Sequence, residues 1–202
     1  KIKLPSGYSI IWSGQYEYME RSSKKLALVI PLTLLLVVLL LHINTKSWVK
    51  TGIVLLALPF SMVGAIWFLY LAGYNMSVAV WVGIIALLGV DAETGVIMLL
   101  YLDIAYERFK KNGLFNSMAD LREAIFEGAV KRIRPKMMTV MTTMLGLLPI
   151  LIGTGIGSDV MKRIAAPMVG GIMTSFIMEL TVYPAIFYLI KKKEVSKLIS
   201  ST

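Results

Sequence analysis

Long apolar stretches separated by short polar segments occupy the chain from residue 26 onward. Windows of about 19 residues, the length suited to membrane helices, give five such stretches, at 26–43, 51–72, 76–102, 137–153 and 164–190. A bilayer core requires about 20 apolar residues of helix to cross it. The pattern therefore predicts an all-α polytopic membrane protein with five transmembrane helices, in a transmembrane domain at 26–190 followed by a polar tail at 191–202.

In the polar segment between the third and fourth stretches, apolar residues recur at the spacing of an α-helix. Ser117 is a suitable N-cap for a helix there. Five small or apolar residues recur on one face of that helix: Leu121, Ala124, Ile125, Gly128 and Ala129. Pro135 follows and suits the first turn of the next helix. We expect an amphipathic helix near 117–134 on the cytoplasmic membrane surface, and a solvated connector helix is the alternative.

Basic residues lie unevenly on the two sides of these stretches. Segments after the first, third and fifth stretches carry 14 of the 21 Lys and Arg, and the opposite side carries 7. Because basic residues accumulate on the cytoplasmic side, residues 191–202 are predicted inside and residues 1–25 outside. The net charge of +9 then reflects topology and attraction to anionic membrane lipids. No aromatic stacking platform interleaves the basic residues, so we expect no nucleic-acid partner.

Composition supports the membrane assignment and narrows the chemistry. Hydrophobic residues make up 57% of the chain and charged residues 16%, with a mean hydropathy of +0.74, which excludes a soluble globular domain. The absence of cysteine excludes disulfides and thiolate metal sites, so methionine thioethers are the remaining soft ligands. One histidine and no cysteine provide no pairing of nucleophile and base, which disfavours an intramembrane enzyme.

Three carboxylates lie inside the apolar stretches, with Asp91 and Glu93 in the third and Glu179 in the fifth. A charged side chain at membrane depth costs about 3 kcal/mol on insertion scales, so it marks a protein interior or a watery path. At about 1.5 Å per residue, Asp91 and Glu179 both lie about 22 Å from the outer ends of their helices, and Glu93 about 25 Å. Asp91 and Glu93 are about 200° apart around a helix, so they face different surroundings.

Lys136 enters the fourth stretch from the cytoplasmic side, and its long side chain is able to reach toward Glu93. We expect Glu93 and Lys136 to be the working proton site, because their attraction opposes the neutralisation that low dielectric imposes on each alone. The alternative for Lys136 is a snorkelling interfacial lysine. Glu179 is better explained as a protonated or hydrogen-bonded acid that stabilises helix contacts, and Asp91 fits either role.

Methionines recur at helical spacing in the fourth and fifth stretches, a pattern more typical of packing than of metal binding. Met161 differs, because it lies in the external turn at 153–162, where an apolar side chain has less to fill. A thioether in that position is suited to a soft monovalent cation such as Cu(I) or Ag(I).

Four segments of the chain resemble one known family in combination. They are WSGQYE at 12–17, GVDAETGV at 89–96, RIRPKMMT at 132–139 and GSDVMKRIAAPM at 157–168. These segments resemble the C-terminal end of heavy-metal efflux permeases of the RND superfamily, of the copper and silver (CusA) type, and the resemblance covers essentially the whole chain. It implies that the chain holds the last five spans, that residues 1–25 leave the second periplasmic domain, and that an N-terminal half of the permease is missing.

The resemblance also implies the cargo and the partners. Such permeases work as homotrimers in the bacterial inner membrane, joined to a periplasmic adaptor and an outer-membrane channel. They use the proton gradient without a bound cofactor, so the implied function is proton-driven export of Cu(I) or Ag(I). The alternatives are a Co, Zn or Cd exporter of the same superfamily, and a non-transporting membrane scaffold or assembly subunit.

Individual site residues follow from the same resemblance. Glu93 and Lys136 occupy positions that match the family's proton relay, and Met161 matches a methionine on its metal exit path. Asp91 stands where the family has a small residue, and Glu179 stands where it has an apolar one. The resemblance therefore implies a proton relay that includes Glu93 and Lys136, and a metal ligand at Met161. We add Asp91 to the expected relay because it is a carboxylate inside the same apolar stretch as Glu93.

Overall fold

The computed structural model describes residues 14–200, and within that range the backbone forms five α-helices and no β-strand. They are α1 (Gln15–Thr45), α2 (Trp48–Leu71), α3 (Val78–Lys111), α4 (Met118–Ile152) and α5 (Ser158–Ser200). All five are long and apolar enough to cross a membrane, where a helix satisfies its own backbone hydrogen bonds. The predicted all-α architecture is confirmed. Residues 1–13 of the predicted outer segment and 201–202 of the predicted tail lie outside the described residues.

The chain divides into two compact units between Leu39 and Leu40. In the first unit, the described part is the N-terminal portion of α1, where charged side chains pair one turn apart before the apolar stretch begins. Lys24 Nζ lies 2.7 Å from Glu20 Oε1 in one of these pairs. The second unit contains α2, α3, α4 and α5.

Within the second unit, α5 packs against α2, α3 and α4. A Cβ added to Gly170 of α5 would lie 2.4 Å from the carbonyl oxygen of Gly64 in α2. A Cβ added to Gly83 of α3 would lie 2.2 Å from the carbonyl oxygen of Ile164 in α5. The backbone of α5 therefore touches two neighbouring helices directly, as small residues permit between membrane helices.

The amphipathic stretch near 117–134 is helical, as expected, and it forms the first half of α4, continuous with the fourth span. Ser117 is the N-cap, and its backbone N–H donates to Asp120 Oδ2 at 2.6 Å. All five residues of the predicted apolar face are buried: Leu121, Ala124, Ile125, Gly128 and Ala129. This face packs on α3, since a Cβ on Gly128 would lie 2.9 Å from the carbonyl oxygen of Tyr101. The apolar face therefore makes contact with protein in the structure.

Ion pairs join α3, α4 and α5 at the ends that follow the third and fifth apolar stretches. Lys110 Nζ of α3 lies 2.9 Å from Glu194 Oε1 of α5, and Arg108 of α3 pairs with Glu127 of α4. These side chains are partly exposed, and such pairs contribute at most about 1 kcal/mol each. They help to hold the three helices that carry most of the buried polar residues.

Candidate functional site

Buried polar side chains gather in one place between α2, α3, α4 and α5. Among the described residues, seven polar or charged side chains are buried, and all except Thr51 belong to one group. We call this group the polar cluster, and it consists of Ser61 of α2, Asp91 and Thr94 of α3, Lys136 of α4, and Ser175 and Glu179 of α5. None of them is more than 4% exposed. Charged groups are buried to this degree only at a large cost unless they are paired.

Lys136 and Glu179 form the ion pair at the centre of the polar cluster. Lys136 Nζ lies 3.0 Å from Glu179 Oε2, and the Thr94 hydroxyl donates to Glu179 Oε1 at 2.7 Å. Ser175, one turn before Glu179 on α5, places its hydroxyl 3.4 Å from the same oxygen. Both carboxylate oxygens therefore have donors, which is the arrangement that a buried ionised carboxylate needs.

Asp91 belongs to the polar cluster but has no cation of its own. Its side chain is 1% exposed, and its Oδ2 has no hydrogen-bond partner in the described part of the chain. The hydroxyls of Ser61 and Ser175 both lie beside the carboxyl group. Lys136 and Glu179 are close enough to act on it electrostatically. The cluster thus contains two carboxyl groups and one lysine, so full ionisation would leave a buried negative charge.

Glu93 lies on the other side of α3, where its side chain is exposed. This position agrees with the rotation of about 200° that helical geometry predicts between Asp91 and Glu93. The predicted contact between Lys136 and Glu93 is wrong, because the face of α4 that carries Lys136 packs toward Glu179 of α5. The roles of Glu93, Lys136 and Asp91 in proton transfer stay predictions.

The pairing of Glu179 with Lys136 is the feature that sequence reasoning missed. Equal depth in the membrane predicts one layer for Asp91 and Glu179, and the structure does bring both into the polar cluster. The sequence also favours Glu179 as a hydrogen-bonded acid between helices, and its bonds to Lys136 and Thr94 have that form. Depth along a helix does not reveal which face meets which neighbour, so the lysine could not be assigned to its partner.

Met161 lies in the first turn of α5, just after the short connection from α4. Its side chain is 53% exposed and borders a shallow cavity of about 390 Å³ that the connection also lines. Residues 14–200 contain no group of three or more His, Asp or Glu side chains placed to hold a metal. The side chain of Met161 is exposed in the described part of the chain, and its role as a ligand stays a prediction.

Three other methionines of α4 and α5 pack inside the structure, whereas four are exposed: Met137, Met138, Met141 and Met173. Met144 and Met168 pack against a buried apolar cluster that includes Leu87 and Ile172. Met178 is only 4% exposed. Their surroundings are those of flexible apolar side chains that fill a core.

Comparison with known proteins supports the resemblance seen in the sequence. The family model described as the AcrB/AcrD/AcrF family matches residues 1–191. SilA of Salmonella typhimurium is 46% identical over 202 residues, which cover 99% of this chain and 19% of SilA. The cation efflux system protein CusA of Escherichia coli K12 is 45% identical over 191 residues, covering 94% of this chain and 18% of CusA.

A solved structure gives the same result at the level of the fold. An X-ray crystal structure of a heavy metal efflux pump superposes with a TM-score of 0.76 at 32% identity, covering 94% of this chain and 18% of that one. The predicted resemblance to heavy-metal efflux permeases is therefore confirmed. The chain spans about a fifth of the length of the relatives that it matches.

Proposed function

The chain belongs to the AcrB/AcrD/AcrF family, and we propose that it forms the last five spans of a proton-driven permease that exports heavy-metal cations. Similarity to a cation efflux system protein and to a heavy metal efflux pump supports metal cations as the cargo. The chain corresponds to less than a fifth of either relative. Transport therefore requires the remaining, N-terminal part of the permease.

The observation that carries proton coupling is the buried polar cluster. A charged residue at membrane depth costs about 3 kcal/mol on insertion scales, which apolar residues in the same place would avoid. Because the cluster draws members from α2, α3, α4 and α5, a change in its proton occupancy alters contacts between several helices at once. A membrane potential supplies about 2.3 kcal/mol per charge per 100 mV, so one or two protons are enough to drive a large metal gradient.

The relay that we propose consists of Glu93, Lys136 and Asp91. Lys136 and Asp91 are buried in the polar cluster. Glu93 is exposed on the opposite side of α3, which leaves its carboxyl group available to the N-terminal half of the permease. Protons would then pass between the two halves at the level of α3.

The cargo that fits this chain best is a soft monovalent cation, Cu(I) or Ag(I). The chain has no cysteine and one histidine, so thioethers are its principal soft ligands. Met161 presents an exposed thioether in the first turn of α5, on the side that the distribution of basic residues predicts to be periplasmic. We place it on the path by which the metal leaves the membrane domain.

We further propose that the whole permease is a multi-pass homotrimer of the bacterial inner membrane, coupled to a periplasmic adaptor and an outer-membrane channel. Family membership supports this assembly. The excess of basic residues after the first, third and fifth apolar stretches supports a cytoplasmic C-terminal tail.

Glu93→Gln in the full-length permease is expected to lower proton-driven Ag(I) transport about tenfold or more, because an amide cannot bind and release a proton as general acid–base groups do. The measurement is Ag(I) flux in vesicles under an imposed pH gradient. Glu107→Gln is the matched control, because Glu107 is an exposed acid at the polar end of the same helix. It should transport at the rate of the unchanged permease.

Unchanged Ag(I) flux in Glu93→Gln, with the trimer intact, would remove Glu93 from the relay. Absence of proton-driven flux of Ag(I) or Cu(I) in the unsubstituted permease would instead contradict the proposed function. That second result would favour a membrane scaffold or an exporter of other metals.

Met161→Leu is expected to raise the Ag(I) concentration for half-maximal transport about tenfold, the effect of losing about 1.4 kcal/mol of binding free energy. Leucine keeps the apolar volume and removes only the sulfur. Met178→Leu is the control, since Met178 is buried in helix packing and a volume-conserving substitution there is well tolerated. Equal half-maximal concentrations in the two variants would exclude Met161 as a ligand.

A further inference from the structure

The polar cluster holds two buried carboxyl groups, from Asp91 and Glu179, and one buried lysine, Lys136. We infer that Asp91 and Glu179 together bind one exchangeable proton, balanced by the charge of Lys136. This is a proton-binding site internal to α3, α4 and α5, and it is separate from Glu93 on the opposite side of α3. Only the use of this proton in transport rests on the proposed function. The number of protons follows from the charges of the polar cluster.

Charge balance sets the number of protons at one. With both acids ionised, the cluster would carry a net negative charge in a place that water does not reach, which is strongly unfavourable. With both acids protonated, the lysine would be left as an unpaired buried cation or would lose its own proton. One proton on one acid leaves a neutral cluster with Lys136 still charged.

The contacts indicate which acid holds this proton. Glu179 receives donors on both oxygens, from Lys136 at 3.0 Å and from Thr94 at 2.7 Å, so it is the ionised partner. Asp91 is 1% exposed, and its Oδ2 has no hydrogen-bond partner among residues 14–200. Asp91 is therefore the acid that carries the proton in this conformation.

Side chains from the other packed elements do not alter this balance. On α2, Ser61 contributes only a neutral hydroxyl next to Asp91. On α5, Ser175 is also neutral, and the hydroxyl of Tyr183 donates to the carbonyl oxygen of Val54 at 3.4 Å. In the described part of the chain, the buried charged side chains are those of Asp91, Lys136 and Glu179 alone.

The position of Lys136 allows the proton to move between the two acids. Lys136 follows Pro135 inside α4, and proline lacks the N–H that would complete the helical hydrogen bond at this point. A small change in α4 that moves the ammonium group from Glu179 to Asp91 reverses their roles. The proton then leaves the Asp91 carboxyl group and binds Glu179, while the total charge of the cluster is unchanged.

Infrared difference spectroscopy of the full-length permease in lipid at neutral pH tests the proton count without any metal present. A protonated carboxyl group has a C=O stretching band that ionised carboxylates lack and that shifts in D₂O. Asp91→Asn should remove one such band. Glu179→Gln should remove the same band, because Lys136 then pairs with Asp91 and keeps it ionised. Lys136→Met should increase the band about twofold, since both acids must then be neutral.

A purely structural role for these residues predicts a different set of spectra. Retention of the band in Glu179→Gln would show that Asp91 holds its proton independently of Glu179, and would overturn the inference. Absence of any D₂O-sensitive band assignable to Asp91 in the unsubstituted permease would overturn it without recourse to a variant. Glu107→Gln, at an exposed position, should leave the spectrum unchanged. Because these spectra involve no transport, a failure of metal export remains distinguishable from a failure of the proton site.

Discussion

Lys136→Met is expected to destabilise the full-length permease strongly, because it removes the cation from a buried ion pair. Lys136 and Glu179 are both less than 5% exposed, and their charged atoms are 3.0 Å apart. Breaking such a pair from one side costs about 3–5 kcal/mol, because the remaining acid is then buried without its cation. The measurement is the midpoint of thermal unfolding in detergent at neutral pH.

A second substitution identifies the source of the stability lost in Lys136→Met. Glu179→Gln in addition to Lys136→Met removes the unpaired acid and should recover most of the stability, because a buried pair replaced by neutral groups is often close to neutral overall. Lys110→Met is the matched control. Lys110 also pairs with a glutamate, Glu194, but both side chains are about 40% exposed, so its removal should cost at most about 1 kcal/mol. Equal midpoints for the single and double variants would contradict a buried ion pair.

Gly170→Ala is expected to lower the unfolding midpoint by several degrees and to reduce the yield of folded protein. A Cβ at this position would lie 2.4 Å from both the carbonyl oxygen of Gly64 and the Cβ of Phe68. Backbone cannot move aside as a flexible side chain can, so α2 and α5 must separate. Overpacking of this kind costs about 1–3 kcal/mol and occasionally more.

Gly89→Ala is the matched control for Gly170→Ala. Gly89 also lies within a membrane helix, but a Cβ there meets nothing within 4 Å in the second unit. Alanine is favoured over glycine inside a helix by about 1 kcal/mol, so this variant should be as stable as the unsubstituted permease or more so. If Gly170→Ala were as stable as Gly89→Ala, the α2–α5 backbone contact would not exist in the permease.

The positions of Asp91, Glu93 and Glu179 show which features of the site can be predicted from the sequence. The equal depth of Asp91 and Glu179 and the rotation between Asp91 and Glu93 follow from helical rise and twist alone. The partner of Lys136 does not follow, because depth along a helix contains no information about which face meets a neighbouring helix. A lysine side chain reaches several acids at one level, and only the packing of α4 on α5 selects Glu179.

The first half of α4 also combines a feature that the sequence predicts with one that only the tertiary structure shows. Helical spacing identified its apolar face at Leu121, Ala124, Ile125, Gly128 and Ala129. The same stripe suits a membrane surface or a protein surface, and hydrophobicity alone does not distinguish them. The approach of Gly128 to the backbone of Tyr101 shows that this face meets α3, and the position of the helix at the membrane surface stays a prediction.

By itself, the sequence determined the helical class, five helices long enough to span a membrane, the family, and the equal depth of Asp91 and Glu179 along their helices. It did so because a membrane forces the backbone into helices of fixed rise, and fixed rise sets depth. Only the tertiary structure showed that Lys136 pairs with Glu179 and that Asp91 has no cation of its own. It also showed that Glu93 faces away from the polar cluster. Those facts depend on the rotation and contact of whole helices, which arise from packing between residues far apart in the chain.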